Sequence, residues 1–176
     1  MAVSNKVILR EKSSADAWDD YAWETDPELA ELDAAPVVSI PYSQYLLEYT
    51  HQLDYSPKTS RRFAVDTLDG KHIGNCSYYN LDKPRGEVEV GIMIGNQDYW
   101  SQGYGTDAIT TLINHIFEET QVNRVRLKTL LSNIRAQKCF QKCGFIEYKQ
   151  LHTNGYNFMF MEIFRKQWQE RQTESQ

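Results

Sequence analysis

The sequence predicts an α/β (α+β) domain on a mixed, mostly antiparallel twisted sheet, and three stretches carry that reading. First, "RRFAVDTL", "DGK" and "HIGNCSYYNL" form a hairpin, because Asp-Gly is a strong short turn signal; "DKPRG" then turns into a third strand, "EVEVGIMIG". Second, "EVEVGIMIG", "TDAITTLINHIFEET" and "RVRLKTL" follow one another as strand, helix and strand. That order makes a central right-handed βαβ crossover with two parallel strands. Third, "IEYKQL", "HTNG" and "YNFMFMEIF" give a closing hairpin.

The remaining elements follow in chain order. "KVILRE" alternates as a short first strand, and Ala15, Trp18, Tyr21 and Ala22 then recur at helical steps behind a Ser13 or Ser14 cap. Trp18 and Trp23 on that helix are expected to pack in the core. "TDPEL" opens a second short helix, with Pro27 suited to the first position behind an acidic cap. "YSQYLLEYTHQL" reads as a third, with Tyr42, Tyr45, Leu46, Tyr49 and Leu53 along one side. The apolar run ending "EVEVGIMIG" predicts a central strand buried on both faces. Ala108, Ile109, Leu112, Ile113, Ile116 and Phe117 make a wide apolar stripe on the crossover helix, which is expected to start near Thr106. "SNIRAQKCFQKCGF" is a short helix with Ser132 or Asn133 at its start, Cys139, Phe140 and Cys143 inward as small or aromatic core, and Gly144 as a left-handed cap. Residues 1–168 therefore read as one domain, and the polar tail 169–176 is expected to fray.

Bulk properties exclude several classes. A chain of 176 residues can bury a core without disulfide or metal staples. No apolar run approaches a bilayer span, and "MAVSNKVILREKSS" lacks the apolar region of a signal peptide. Three cysteines, an odd number, point to a reducing compartment, the cytoplasm. His51, His72, His115 and His152 are scattered without ligand spacing, so no metal is expected, and no cysteine has a positioned histidine for covalent catalysis. An isoelectric point near 5.4 without a basic, aromatic-laced stripe argues against nucleic acid.

Charge is unevenly spread. Of the 24 acids, ten (Asp16, Asp19, Asp20, Glu24, Asp26, Glu28, Glu31, Asp33, Glu48, Asp54) lie between Ser13 and Pro57, where there is no Lys or Arg. The rest of the chain carries 14 acids against all 19 bases. Two readings stand at this level: solvated helix faces, or two halves that meet ligands of opposite sign.

Gly103, Gly105 and Ala108 have the spacing G-x-G-x-x-A, which a dinucleotide fingerprint shares with other glycine turns that feed a helix. An antiparallel meander precedes it, "NQDYWSQ" separates it from its strand, and "RVRLKTLL" supplies no acid for a ribose, so the dinucleotide reading fails. A Walker loop fails because no Gly-Lys-Ser/Thr follows. An anion-binding turn survives, with glycines that let amides approach a phosphate and a helix directing its positive end there; a plain connecting turn is the alternative.

The meander, "EVEVGIMI", the W-x-x-G-Y-G-T turn, the apolar helix, a strand and N-x-R-A-x-x-x-F-x-K-x-G-F together resemble the GCN5-related N-acetyltransferases. The resemblance covers about residues 61–164. "YAWETDPELAE" and the Trp of "YWSQGYG" look like the branch that acetylates protein N-termini and ribosomal proteins (RimJ/RimL-like), and "HTNGYNFMFMEIF" looks like spermidine acetyltransferases. In that family the two parallel strands splay apart, and the pantetheine arm of acetyl-CoA lies in the gap. By resemblance, main-chain groups of Ile92, Met93 and Ile94 pair with the arm, and amides of Gln102, Gly103, Tyr104, Gly105 and Thr106 hold the pyrophosphate. The turn departs from the family's usual Gln or Arg at its first position, which is Trp100 here.

Asn133 matches a cofactor-holding asparagine and is equally suited to cap a helix. Phe140 stands at the cofactor position where many members carry a tyrosine that protonates the departing thiolate, a task phenylalanine cannot perform. A CoA thiol resembling cysteine has a pKa of about 8.5, so its thiolate leaves tolerably unaided. Glu89 matches the family base that deprotonates the amine, with Glu87 in reserve; the alternative for Glu89 is a rim glutamate paired with a strand neighbour. Main-chain N–H near Met93 or Ile94 would polarise the thioester carbonyl. The resemblance therefore implies direct acetyl transfer to a primary amine, either a protein N-terminus or a small cationic amine such as a polyamine. A CoA-binding module without turnover is the reading of another class. The opening acidic helices would wall the acceptor cleft, with His152 and Tyr156 near it, and dimers are common among relatives.

Overall fold

The computed structural model describes residues 1–55 and 57–174. Eight strands form one sheet in the order β1-β2-β3-β4-β5-β6-β8-β7: β1 (Ala2–Val3), β2 (Val7–Glu11), β3 (Arg61–Thr67), β4 (His72–Asp82), β5 (Glu87–Ile94), β6 (Arg124–Leu130), β7 (Ile146–Thr153) and β8 (Tyr156–Phe164). Neighbours pair antiparallel throughout, with β5–β6 the parallel exception. Helices α1 (Ala17–Glu24), α2 (Pro27–Leu32) and α3 (Tyr42–Asp54) lie between β2 and β3. Helix α4 (Tyr104–Glu119) makes the crossover, α5 (Ile134–Lys142) follows β6, and α6 (Arg165–Glu174) ends the described chain.

The core forms where α4 packs on one sheet face. Val7, Leu9, Val65, Val88, Val90 and Val125 meet Ile109, Leu112, Ile116 and Phe117 there, all nearly sealed from solvent. Burying each such side chain contributes about 1.5–3 kcal/mol. The opposite face carries a smaller aromatic lobe in which Ala17, Tyr45 and Tyr49 pack with Tyr21, Ile40 and Leu46.

The parallel pair is short. It has rungs only at Glu87↔Arg124, Val88↔Val125 and Glu89↔Arg126. Beyond these, β5 stays with β4 through Gly74↔Ile94 and β6 stays with β8 through Leu130↔Phe158. The sheet therefore opens into a V whose closed end is tied by side chains. Arg124 bridges Glu87 at 3.2 Å and also holds Glu162, while Arg126 reaches Glu89 at 3.1 Å and Glu87 at 3.5 Å. The V also corrects one expectation: Gly91 to Ile94 are half-buried, not buried on both faces, because β6 turns away from them.

Three further expectations change. Trp18 is 60% exposed, lying edge-on to Tyr42 with ring centroids 4.8 Å apart, outside the core. Helix α4 begins at Tyr104, two residues ahead of Thr106. The tail does not fray at Trp168, because α6 runs to Glu174. Its start is fixed by tertiary contacts: the Arg165 guanidinium donates to the carbonyls of Phe117, Thr120 and Val122 at 2.7–2.8 Å, and Trp168 stacks on Phe117 and bonds Asn114. A cation on the open carbonyls of α4 is favoured by the helix dipole as well as by hydrogen bonding.

Candidate active site

The site is built from the V upward. Along the freed edge of β5, Ile92 faces the core side and Met93 the open side, as alternation requires. Ile94 departs from its expected role in part: its carbonyl already accepts the Trp100 indole N–H at 2.6 Å. Trp100 is held in turn by Arg135, whose guanidinium lies 3.3 Å from the ring centroid. Just beyond, Gly95 is required sterically, since a Cβ there would fall 2.0 Å from the Trp23 ring. Across the V, the end of β6 is partly satisfied by Gln137, a buried residue whose amide donates to the carbonyls of Leu130 and Leu131 at 2.9 Å.

The turn that follows β5 is an anion corner made of backbone. Ser101 (φ 60°) and Gly103 (φ 88°) sit in the left-handed region, which folds the chain back into α4. The first intrahelical bond of α4 runs from the Asp107 amide to the Gly103 carbonyl. The amides of Tyr104, Gly105 and Thr106 precede that ladder and lie at the positive end of the helix. Lys6 adds a cation, its ammonium 5.1 Å from the Tyr104 ring centroid. Gln102 contributes backbone alone, because its side chain bonds back to the Asp98 carbonyl. A Cβ at Gly105 would stand 3.6 Å from Cys139 and 3.7 Å from Ile94, so corner, strand end and α5 converge on one spot.

Asn133 is the cap of α5, its Oδ1 accepting the Ala136 amide at 3.1 Å, which leaves its side-chain N–H₂ to spare. Phe140 lies in the core against Phe145, with ring centroids 6.1 Å apart, and offers no proton. Cys139 departs from the expected inert packing. It is half-exposed, 3.5 Å from the Thr106 hydroxyl, and its thiol is lowered to about 7, first by its contact with Cys143 and, against the opposing effect of burial, by Thr106. Cys143 is buried and pushed upward by the same contact and by burial.

On the open face, α1 to α3 and the strands enclose a cleft of about 1190 Å³. Trp23, Glu24, Tyr45, Tyr79 and Met93 are among its walls, as are Asp33 and Glu48. Glu24 accepts the Tyr45 hydroxyl at 3.1 Å; desolvation raises its carboxyl, and the charge of Asp20 adds to the rise. Sequence reasoning counted Glu24 among the ten acids of the lobe but gave it no role of its own. His152 and Tyr156 are not cleft residues: His152 bonds Asn157 on the exposed β7–β8 turn.

Glu89 also lies off the cleft wall. Its cross-strand partner Tyr79 occupies the wall at that rung, while Glu89 borders a separate pocket of about 30 Å³ with Arg126, Tyr148 and Phe160. The notable cluster in the cleft is polar and deep. Lys12 donates to Asp20 and Asn75, Asn75 donates to Asp20 at 2.6 Å, and the Tyr49 hydroxyl donates to Asp20 at 2.8 Å. Burial works to raise the Asp20 carboxyl, but bonds from His72, Lys12 and Asn75 outweigh it and hold it at about 2. Among the described residues no group of three or more His, Cys, Asp or Glu is placed to hold a metal.

An open parallel pair lies beside a corner of helix-start amides and faces a roomy cleft lined by carboxylates and bases together. The family model for the acetyltransferase (GNAT) domain matches residues 6–146, and the chain belongs to that family. It is an acetyl-CoA-dependent N-acetyltransferase. Similar proteins include an uncharacterized N-acetyltransferase, p20, of Bacillus licheniformis, 21% identical over 81% of this chain and 80% of its own length. An aminoglycoside N(6')-acetyltransferase type 1 of Klebsiella pneumoniae is 25% identical over 81% of this chain and 75% of its own. The solved structure of spermidine N-acetyltransferase from Vibrio cholerae, in complex with CoA and spermine, shares the fold with a TM-score of 0.81. It is 17% identical and covers 93% of this chain and 98% of its own.

Proposed function

We propose that the enzyme moves the acetyl group of acetyl-CoA to a primary amine of a small, cationic acceptor. The observation that carries this is the cleft lining: of its five carboxylates, Glu24, Asp33 and Glu48 form no ion pair within 4.0 Å among the described residues, while of its four bases Lys12 is held by Asp20, Arg61 by Glu11 and Arg62 by Gln52, with Lys58 the fourth. A cationic amine entering there gains attraction that a neutral one lacks. Polyamines and aminoglycosides, the acceptors named for similar proteins, have this chemistry.

In the proposed reaction the arm of acetyl-CoA lies along Ile92 to Ile94, its pyrophosphate rests on the amides of Gln102 to Thr106, and the spare Asn133 N–H₂ bonds the arm. Phe140 packs beneath it. Main-chain N–H at Met93 or Ile94 polarises the thioester carbonyl. The amine attacks directly, in a ternary complex, and Glu89 takes its proton through a water. The thiolate departs without a dedicated acid. We place the reaction in the cytoplasm, where Cys76, Cys139 and Cys143 stay reduced.

A thiol-release assay with acetyl-CoA tests this against polyamines, aminoglycosides, neutral amines and ribosomal-protein N-terminal peptides. Turnover of the cationic small amines that weakens as salt rises is expected. Preference for N-terminal peptides would transfer the enzyme to the protein-acetylating branch. Tight acetyl-CoA binding with no thiol release from any amine would leave a binding module.

A further inference from the structure

The cleft contains an amine of the enzyme's own. The Lys12 side chain is 7% exposed, yet Lys12 and Met93 line the same cavity. Lys12, just past the end of β2, reaches Asn75 by its side chain, and Asn75 lies directly across from Met93 in the β4–β5 register, on the same face of the sheet. The ammonium bonds Asn75 on β4, the strand next to β5, so it lies on the cleft side of the segment along which the arm is proposed to run. Its other neighbours are the Asp20 carboxylate and the Tyr49 ring, 5.5 Å from the ammonium to the centroid. Burial lowers the pKa of this lysine, against the pull of Asp20, which favours the neutral form that can attack.

Two properties distinguish Lys12 from an ordinary buried ion pair. Asp20 keeps other partners without it, because Asn75, Tyr49 and His72 (3.4 Å) also hold that carboxylate. The side chain is moreover the same chemical species as the acceptor, a primary alkylamine, in a cavity proposed to present amines to a thioester. We propose that Lys12 is a self-acetylation site, acetylated by the enzyme's own bound acetyl-CoA when no acceptor fills the cleft. This rests on the acetyl-transfer reading above.

The step balances without a further reactant. The Lys12 ammonium releases one proton to solvent. Its nitrogen then forms a bond to the acetyl carbonyl carbon, the carbon–sulfur bond breaks with its electron pair going to sulfur, and the thiolate takes the remaining amine proton. The products are one amide, one CoA thiol and one proton. Acetylation removes one positive charge beside a hydrogen-bonded Asp20, so the cleft becomes more acidic and better suited to a cationic acceptor.

The test incubates the purified full chain with isotopically labelled acetyl-CoA and no acceptor, then locates label by peptide mass spectrometry. Label on Lys12, suppressed by excess CoA or by an added polyamine while label on exposed lysines persists, is the expected result. The acetylated enzyme should then show a lower KM for polyamines, by a factor that shrinks at high salt. K12R, which keeps the charge, should acquire no label at position 12 and show no KM change on preincubation. Lys12 left unlabelled in a sample that acetylates an added amine overturns the proposal alone. Failure to acetylate any amine, with Lys12 also unlabelled, overturns it together with the acetyl-transfer reading. The wild-type measurement decides even if K12R does not fold.

Discussion

The two halves of the cleft are made of different material. The half proposed for CoA is mostly backbone: a strand edge freed by three short rungs, a left-handed corner at Ser101 and Gly103, and three amides ahead of the α4 ladder. The half proposed for the acceptor is side chains: Glu24 on α1, Tyr45 and Glu48 on α3, and Lys12 just after β2. A backbone site tolerates change in most side chains and fails where geometry or charge at the corner is altered. A side-chain site shifts with each substitution, usually by a small amount, because each contact is partly solvated.

Several experiments press on that contrast. The largest expected effect is at the corner. Gly105→Asp has room for its Cβ at ordinary contact distances, so it adds a negative charge without a backbone clash. Acetyl-CoA affinity should fall about 100-fold, roughly 2.7 kcal/mol, by calorimetry. An unchanged Kd would remove the pyrophosphate from the start of α4. Next, Glu89→Gln should lower kcat on the order of 100-fold with acetyl-CoA affinity intact. Equal kcat values would leave Glu89 as a partner of Arg126 and nothing more.

On the acceptor side the expected changes are smaller. Glu24→Gln should raise KM for a polyamine about fivefold, roughly 1 kcal/mol, and leave a neutral amine unaffected. A matching rise for both amines would mean that shape, not charge, selects the acceptor. The smallest perturbation uses the thiols. Cys139 should alkylate with a rate that climbs as pH rises through about 7, since its thiolate forms there, while buried Cys143 stays unreactive. Bound acetyl-CoA should slow that alkylation through the contact of Cys139 with Thr106. No protection would separate α5 from the corner.

The same contrast explains what could be read in advance. Strand order in the meander, the crossover, Asp26 as the cap ahead of Pro27, and Gly144 in the left-handed region all follow from local chemistry, and each was legible from residues close in sequence. The corner was legible too, because only certain residues tolerate its backbone. Trp100 was visible as a departure from the family pattern, but its bond to the Ile94 carbonyl depends on how the chain returns after β5. Helix α6 was missed because its sequence has no apolar stripe, and its anchor is Arg165 on the carbonyls of another helix. Tyr79, not Glu89, on the cleft wall is likewise a matter of which strand neighbours face the cavity.

By itself, then, the sequence determined the elements, their order and the anion corner, since turn residues, periodicity and glycine act over a few positions. Only the tertiary structure decided how far β5 and β6 stay paired, which acids the cleft keeps unpaired, and that Lys12 and Asp20 meet beneath it. Those outcomes depend on strands brought together across the fold, where burial and competing partners, not local preference, set each side chain's neighbours.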